Sequence, residues 1–278
     1  MKKIYDNFSQ KTSKLITNEY STSFSFSTKL LSKNIRPSIY AIYGLVRIAD
    51  EIVDSFHEYD KEKLLDKLIA DYQDSIENKI SLNPVLNSFQ EVYHKYDFEP
   101  YLVERFFDSM KMDLKSAEYT SKLYDNYIHG SAEVVGLMCL KVFVKGDKSL
   151  YDDLKHSAMK LGSAFQKVNF LRDLEFDYTT LGRTYFPNLD DNNVSTRQKE
   201  EIINDIEKDF TESLIGLKKL DKDSFLGVYV AYRYYRELLS KIKKSNLAKM
   251  KDVRIRISNI KKMALILNSA IKVNLKLV

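Results

Sequence analysis

Apolar residues recur at steps of three and four along most of the chain, the period of helices with one buried face. The pattern predicts helices over 35–56, 61–78, 83–96, 100–114, 122–144, 148–176, 196–219, 224–245 and 253–277. Pro84 and Pro100 stand at the starts of two of them, where the missing N–H costs nothing, and Gly146-Asp147 reads as a stop followed by a new cap. No tract rich in Gly, Ser or Pro divides the chain, and no fixed-period repeat or low-complexity segment is visible. The expectation is one all-α domain over 1–278, a helical bundle with a radius of gyration of roughly 19 Å.

Composition strengthens that reading. Eight Gly and four Pro in 278 residues, against roughly 19 and 14 at average usage, leave few residues for the tight turns of a sheet. Cys139 is the single cysteine, so no intrachain disulfide or thiolate metal cluster can form and no oxidising compartment is required. Residues 1–20 lack the apolar block of a signal sequence, and no apolar run approaches the ~18 residues of a spanning helix. The expected location is the cytoplasm.

Charge is unevenly spread. The net charge is +5, but 241–278 holds 11 Lys and Arg against Asp252 alone. A basic segment of this kind meets nucleic acid, an anionic membrane or a phosphorylated substrate, or is simply a solvated helix face. No zinc knuckle, glycine-rich RNA motif or helix-turn-helix accompanies it, so nucleic acid is not expected as a partner.

The candidate chemistry lies in acidic pairs. Asp50 and Asp54, and Asp173 and Asp177, stand four apart within strongly apolar helical stretches. Four residues advance a helix by about 6 Å and overshoot a turn by about 40°, so each pair shares one face. Stacked like charges repel and are poor structural elements, but they can grip a divalent cation. Tyr43 and Arg47 share the first stripe; Gln166 and Asn169 lead the second at steps of three and four. Oxygen-only donors suit a hard cation such as Mg²⁺, which bridges carboxylates to phosphates. Asp205 and Asp209 form a third pair, whose neighbours Glu201, Glu207 and Lys208 mark a solvated face. Two acidic helices with basic partners, drawn from Arg47, Arg172, Arg183, Arg233, Arg254 and Arg256, suggest a site where metal ions clamp a diphosphate and draw it off as a leaving group. The 19 Tyr and 15 Phe fit the aromatic, water-poor cavity that the resulting carbocation needs.

These residues resemble the squalene/phytoene synthase family. Its signature reads here as Leu161-Gly162, Gln166, Asn169, Arg172-Asp173, Asp177 and, after a five-residue gap, Arg183-Thr-Tyr185-Phe-Pro187. The first family motif is present from Tyr43 through Arg47 to Asp50-Glu-Ile-Val-Asp54, and Tyr127 to Gly136 resembles a third. The likeness runs from about Tyr20 onward. The stretches YSTSFS, SAEVVGLMCLKVF and AYRYYREL look most like bacterial phytoene synthases. Glu51, Ile128, His129 and Glu133 depart from the residues usual at their places in the family.

The resemblance implies a central cavity with facing acidic motifs and Mg²⁺, with Mn²⁺ able to substitute, held by Asp50, Asp54, Asn169, Asp173 and Asp177. It implies head-to-head condensation of two geranylgeranyl diphosphates to phytoene through a cyclopropyl diphosphate, without NADPH. Arg47, Arg172, Tyr235 and Arg254 are implied to hold diphosphate oxygens and Gln166 to lie beside the metals. Tyr43, Phe24 and His129 are implied to border the cavity, His129 as a wall residue rather than a base. The alternatives are a squalene or dehydrosqualene synthase using farnesyl diphosphate, and a non-catalytic helical assembly protein of the same fold. Peripheral attachment at the inner face of the membrane through the basic segment, and weak self-association, are further expectations.

Overall fold

The computed structural model describes residues 1–115, 119–187, 195–245 and 255–278. Among these residues the secondary structure is helical, without a β-strand: α1 (Lys2–Tyr20), α2 (Thr22–Lys29), α3 (Arg36–Ser55), α4 (Lys61–Asn78), α5 (Pro84–Lys95), α6 (Pro100–Lys115), α7 (Ser121–Ile128), a π-helical turn (His129–Glu133), α8 (Val134–Phe143), α9 (Lys148–Thr179), α10 (Thr196–Leu217), α11 (Phe225–Lys244) and α12 (Asn259–Asn274). Side chains cap two of the helix starts marked in the sequence. Asn83 accepts from the Val85 amide at 3.0 Å beside Pro84, and Asp147 accepts from the Leu150 amide at 2.9 Å.

Two apolar clusters carry the fold. One gathers α3, α4, α5, α6 and α8 around Leu45, Leu65, Leu86, Phe89 and Phe106; the other joins α9, α10 and α11 around Phe170, Phe210 and Leu238. Each such side chain contributes roughly 1.5–3 kcal/mol on burial.

Two features depart from the periodic reading. α1 and α2 lie outside every predicted segment. Their buried positions are Ser9, Ser13, Thr17, Ser25, Ser27 and Thr28, small hydroxyl residues that carry no apolar rhythm. These hydroxyls are hydrogen-bonded instead, as where Ser13 and Ser88 meet at 2.6 Å between α1 and α5. Second, the helix expected over 122–144 contains the π turn. Here Gly130 packs so closely on α6 that a Cβ would stand 2.4 Å from the Arg105 carbonyl oxygen, and Gly162 of α9 meets the turn at Ala132 in the same way, at 2.5 Å. The extra residue of the turn sits between two backbones in close approach.

Candidate active site

The two predicted stripes come from α3, in the first cluster, and from the 32-residue α9, which runs about 48 Å. A cavity of about 490 Å³ opens between them, bounded also by α2, α8 and α11. Phe24, Tyr43, Arg47, Asp50, Gln166, Asn169, Arg172 and Tyr235 border it, while Leu31, Ile42, Val135 and Leu217 give it an apolar portion. Phe24 stacks on Tyr43 at 4.6 Å and Phe165 on Tyr235 at 4.0 Å, forming aromatic walls. The Tyr235 hydroxyl donates to Asn169 Oδ1 at 3.3 Å and so orients the amide. Burial pushes the Tyr43 phenol up to about 12, which keeps it protonated at neutral pH.

Arg47 pairs with Glu51, the residue that departs from the family pattern, and its guanidinium lies 4.5 Å from the centre of the Tyr20 ring. Its Nε is nonetheless buried without a hydrogen-bond partner, as is Ser131 Oγ, and both residues border the cavity. An unpaired buried donor costs on the order of 1–3 kcal/mol. A ligand oxygen arriving at Arg47 would recover it.

The remaining acids lie beside the cavity rather than on its lining. Arg172 holds Asp173 through two hydrogen bonds, one of 2.9 Å from Nε. Arg183, in the turn after α9, donates to Asp54 at 2.7 Å and to the Val53 carbonyl at 3.0 Å, which ties the end of one acidic helix to the other. Burial first, and then the charge of Asp54, push Asp50 up to about 7. Burial, Asp173 and Asp54 push Asp177 up to about 8. That Asp54 of α3 acts on Asp177 of α9 means the two motifs face each other. The protein supplies too few cations here for its carboxylates.

Behind the pairs lies a residue that sequence reasoning missed. Asp113 of α6 is buried and accepts hydrogen bonds from the hydroxyls of Tyr127 at 2.7 Å, Tyr185 at 2.9 Å and Tyr119 at 3.1 Å. Arg183 stands 3.7 Å away. Burial pushes Asp113 up to about 6 although Arg183 and Tyr127 pull it down. The signal was present in the sequence: Leu102, Phe106, Met110 and Asp113 share one face of α6, so an acid ends an otherwise apolar stripe.

Other expectations resolve differently. His129 is not among the residues bordering the cavity; its Nδ1 meets Glu133 at 2.9 Å within the π turn. Arg233 donates to Asn268 and Ser269 of α12. Arg254 lies outside the described residues. The solvated face expected for Asp205 and Asp209 is corrected at Asp209, which is 1% exposed. Ser163, Lys167 and Lys160 of α9 meet it at 2.7, 2.7 and 3.0 Å, and these partners hold its carboxyl below the usual range against the opposing effect of burial.

The donor set fits a hard divalent cation. It consists of oxygens alone, and two of its carboxyls are held up by burial first and by neighbouring carboxylates second, charge that a cation would offset. Among the described residues no three His, Cys, Asp or Glu converge into a ready-made metal cage. Mg²⁺ ordinarily takes only one or two carboxylates and completes its shell with water and phosphate.

Residues 17–261 match the sequence profile of the squalene/phytoene synthase family. The chain is 26% identical over 253 residues to the chloroplastic phytoene synthase of an Oncidium hybrid cultivar, covering 82% of this chain and 59% of that protein. It thus spans about three-fifths of the plant relative's length. To the 15-cis-phytoene synthase of Pantoea ananas it is 25% identical over 251 residues, 81% of this chain and 79% of the relative. The fold superposes on a crystal structure of a dehydrosqualene synthase in complex with ligand with a TM-score of 0.83, covering 97% and 98% of the two chains at 22% identity.

Proposed function

Because the chain belongs to the squalene/phytoene synthase family, whose members are prenyltransferases, we propose that it joins two geranylgeranyl diphosphates head to head into phytoene. The observation that carries this reading is the polarity of the cavity. Arg47, Asp50, Asn169 and Arg172 line one part of it and aliphatic and aromatic residues the rest, matching a ligand with an anionic head and a long hydrocarbon tail. The likeness to bacterial and plant phytoene synthases supports the twenty-carbon donor.

In this reading the first diphosphate leaves by cleavage of its C1–O bond, and the allylic cation is attacked by the double bond of the second donor. Loss of one proton closes a cyclopropyl diphosphate. A second ionisation, rearrangement and loss of another proton give the hydrocarbon and a second diphosphate. Asp50, Asp54, Asn169, Asp173 and Asp177 would hold Mg²⁺, or Mn²⁺ in its place, which when bound neutralises charge developing on the departing diphosphate. Arg47 offers its unpartnered Nε to a diphosphate oxygen, and Arg172 also lies on the cavity lining. Tyr235 keeps the Asn169 amide in one orientation. Tyr43, Phe24 and Phe165 exclude water and present faces that a carbocation favours.

The test is incubation of the purified protein with Mg²⁺ and either geranylgeranyl or farnesyl diphosphate, with and without NADPH, followed by chromatography of the hydrocarbon extract. Phytoene from the longer donor without NADPH is the expected product. A thirty-carbon product from farnesyl diphosphate alone would reassign the substrate, and no hydrocarbon under any condition would point to a non-catalytic assembly protein.

A further inference from the structure

The last described helix, α12, packs one face on the bundle and leaves an apolar face exposed. Its inner face packs on α11, where fully buried Ser269 and its neighbour Asn268 accept hydrogen bonds from Arg233 at 3.2 and 2.5 Å. Its outer face presents Ile260, Met263, Leu267 and Ile271, which are 85, 49, 61 and 57% exposed. Steps of three, four and four align them in one ridge along the helix, and exposed Leu275 and Leu277 follow it. Single exposed aliphatic residues are common, but a continuous ridge on a surface helix marks something that covers it.

The charge around the ridge identifies the occupant. From 255 to 278 the chain carries Arg256, Lys261, Lys262, Lys272 and Lys276 and no Asp or Glu. Among the described residues, Glu237 of α11 is the acid that faces this segment in an ion pair, with Lys261. A second copy docked ridge to ridge about a two-fold axis would bring like charges together. An anionic lipid surface complements them, and an exposed apolar ridge on a helix whose only charged residues are basic is the composition of a helix lying in the membrane interface. At 16 residues α12 is about 24 Å long, and no described helix is long and apolar enough to cross a bilayer.

We infer that α12 is an in-plane docking surface for anionic phospholipid bilayers, with Ile260, Met263, Leu267 and Ile271 entering the acyl boundary and Arg256, Lys272 and Lys276 meeting the headgroups. Lys262 reaches Thr22 Oγ1 at 2.8 Å, on the helix whose Phe24 borders the cavity, so docking sets one rim of the cavity next to the bilayer. The inference stands on α12 alone and is independent of which prenyl donor the cavity takes.

Sedimentation with phospholipid vesicles tests it. The full chain should bind vesicles of equal parts phosphatidylcholine and phosphatidylglycerol and stay in solution with phosphatidylcholine alone. Leu267→Glu combined with Ile271→Glu should weaken vesicle partitioning at least about tenfold while leaving the melting temperature unchanged. The sequence has no tryptophan, so Leu267→Trp gives a background-free reporter whose emission should shift to the blue on anionic vesicles. Leu82→Trp, at a 94% exposed loop position between α4 and α5, should show no shift. The inference is overturned if the wild-type chain ignores both vesicle types, if the double variant binds as well as wild type, or if the Leu267 reporter stays unshifted. It is likewise overturned if the ridge substitutions only dissociate a dimer formed without lipid, which would make a second copy the occupant.

Discussion

Asp173 and Asp177 on α9, and Asp205 and Asp209 on α10, share the same spacing and belong to helices packed against each other, yet their electrostatics are opposite. Asp209 is surrounded by Lys160, Lys167 and Ser163, and its carboxyl is held low. Asp177 is buried and faces Asp173 and Asp54, and burial first, then these charges, push its carboxyl up to about 8. The α10 carboxylate carries its cations within the fold and is structural. The α9 pair, with its counterpart on α3, has fewer protein cations than charges and is left to acquire others from solution. What separates a structural acid from a site acid is thus the supply of counter-charge, and spacing alone does not reveal it.

The contrast can be broken first at the site. Asp173→Asn with Asp177→Asn should lower hydrocarbon formation by about 10³-fold, the scale of lost transition-state charge stabilisation, while Asp177→Asn alone leaves the metal-free protein melting no lower than wild type. Steady-state assays and calorimetry check both halves. Asp209→Asn should do the reverse, costing on the order of 3 kcal/mol because it leaves Lys167 buried beside one fewer charge, as read by urea denaturation.

Changing pH sharpens the comparison. Asp113, Asp50 and Asp177 are held up to about 6, 7 and 8 against an ordinary value of 3.8. The folded chain therefore binds more protons than the unfolded one across this interval. The stability these groups contribute is complete below about pH 4 and is lost as pH rises through 6 to 8. Asp209 contributes in the other sense, its stabilisation being present above its ordinary value of 3.8 and lost as acid titrates it. Melting curves in chelator should thus decline from mildly acidic to mildly alkaline pH. Mg²⁺ with inorganic diphosphate should reverse the decline, adding about 2.7 kcal/mol at a hundredfold excess over Kd.

The smallest effect is expected behind the site. Tyr185→Phe removes one hydroxyl from Asp113 and should cost about 1.5 kcal/mol, moving the Asp113 titration upward in carboxyl-resolved NMR.

The helical architecture and most of the site were legible because α3 and α9 carry their polar stripes in phase with strong apolar faces. α1 and α2 were not, since Ser13, Thr17 and Ser27 are buried through close approach and hydrogen bonding rather than hydrophobicity. Asp209 was misread because its partners Lys160 and Lys167 lie on another helix, beyond any local pattern. Arg183 stood out as a basic residue, but it sits in a turn without helical phase, so its bond to Asp54, 129 positions earlier, emerges only in three dimensions. Asp113 was readable as a lone acid on an apolar stripe; its tyrosine partners come from outside α6 and were not.

The central claim is that the facing acidic pairs are short of cations and acquire a divalent metal together with diphosphate. Electron paramagnetic resonance titration of Mn²⁺, with inorganic diphosphate present, tests this most directly. The account predicts that the wild-type chain depletes the free Mn²⁺ signal and that Asp173→Asn with Asp177→Asn abolishes the depletion. Equal depletion by the wild type and that double variant, or none by the wild type, would contradict it.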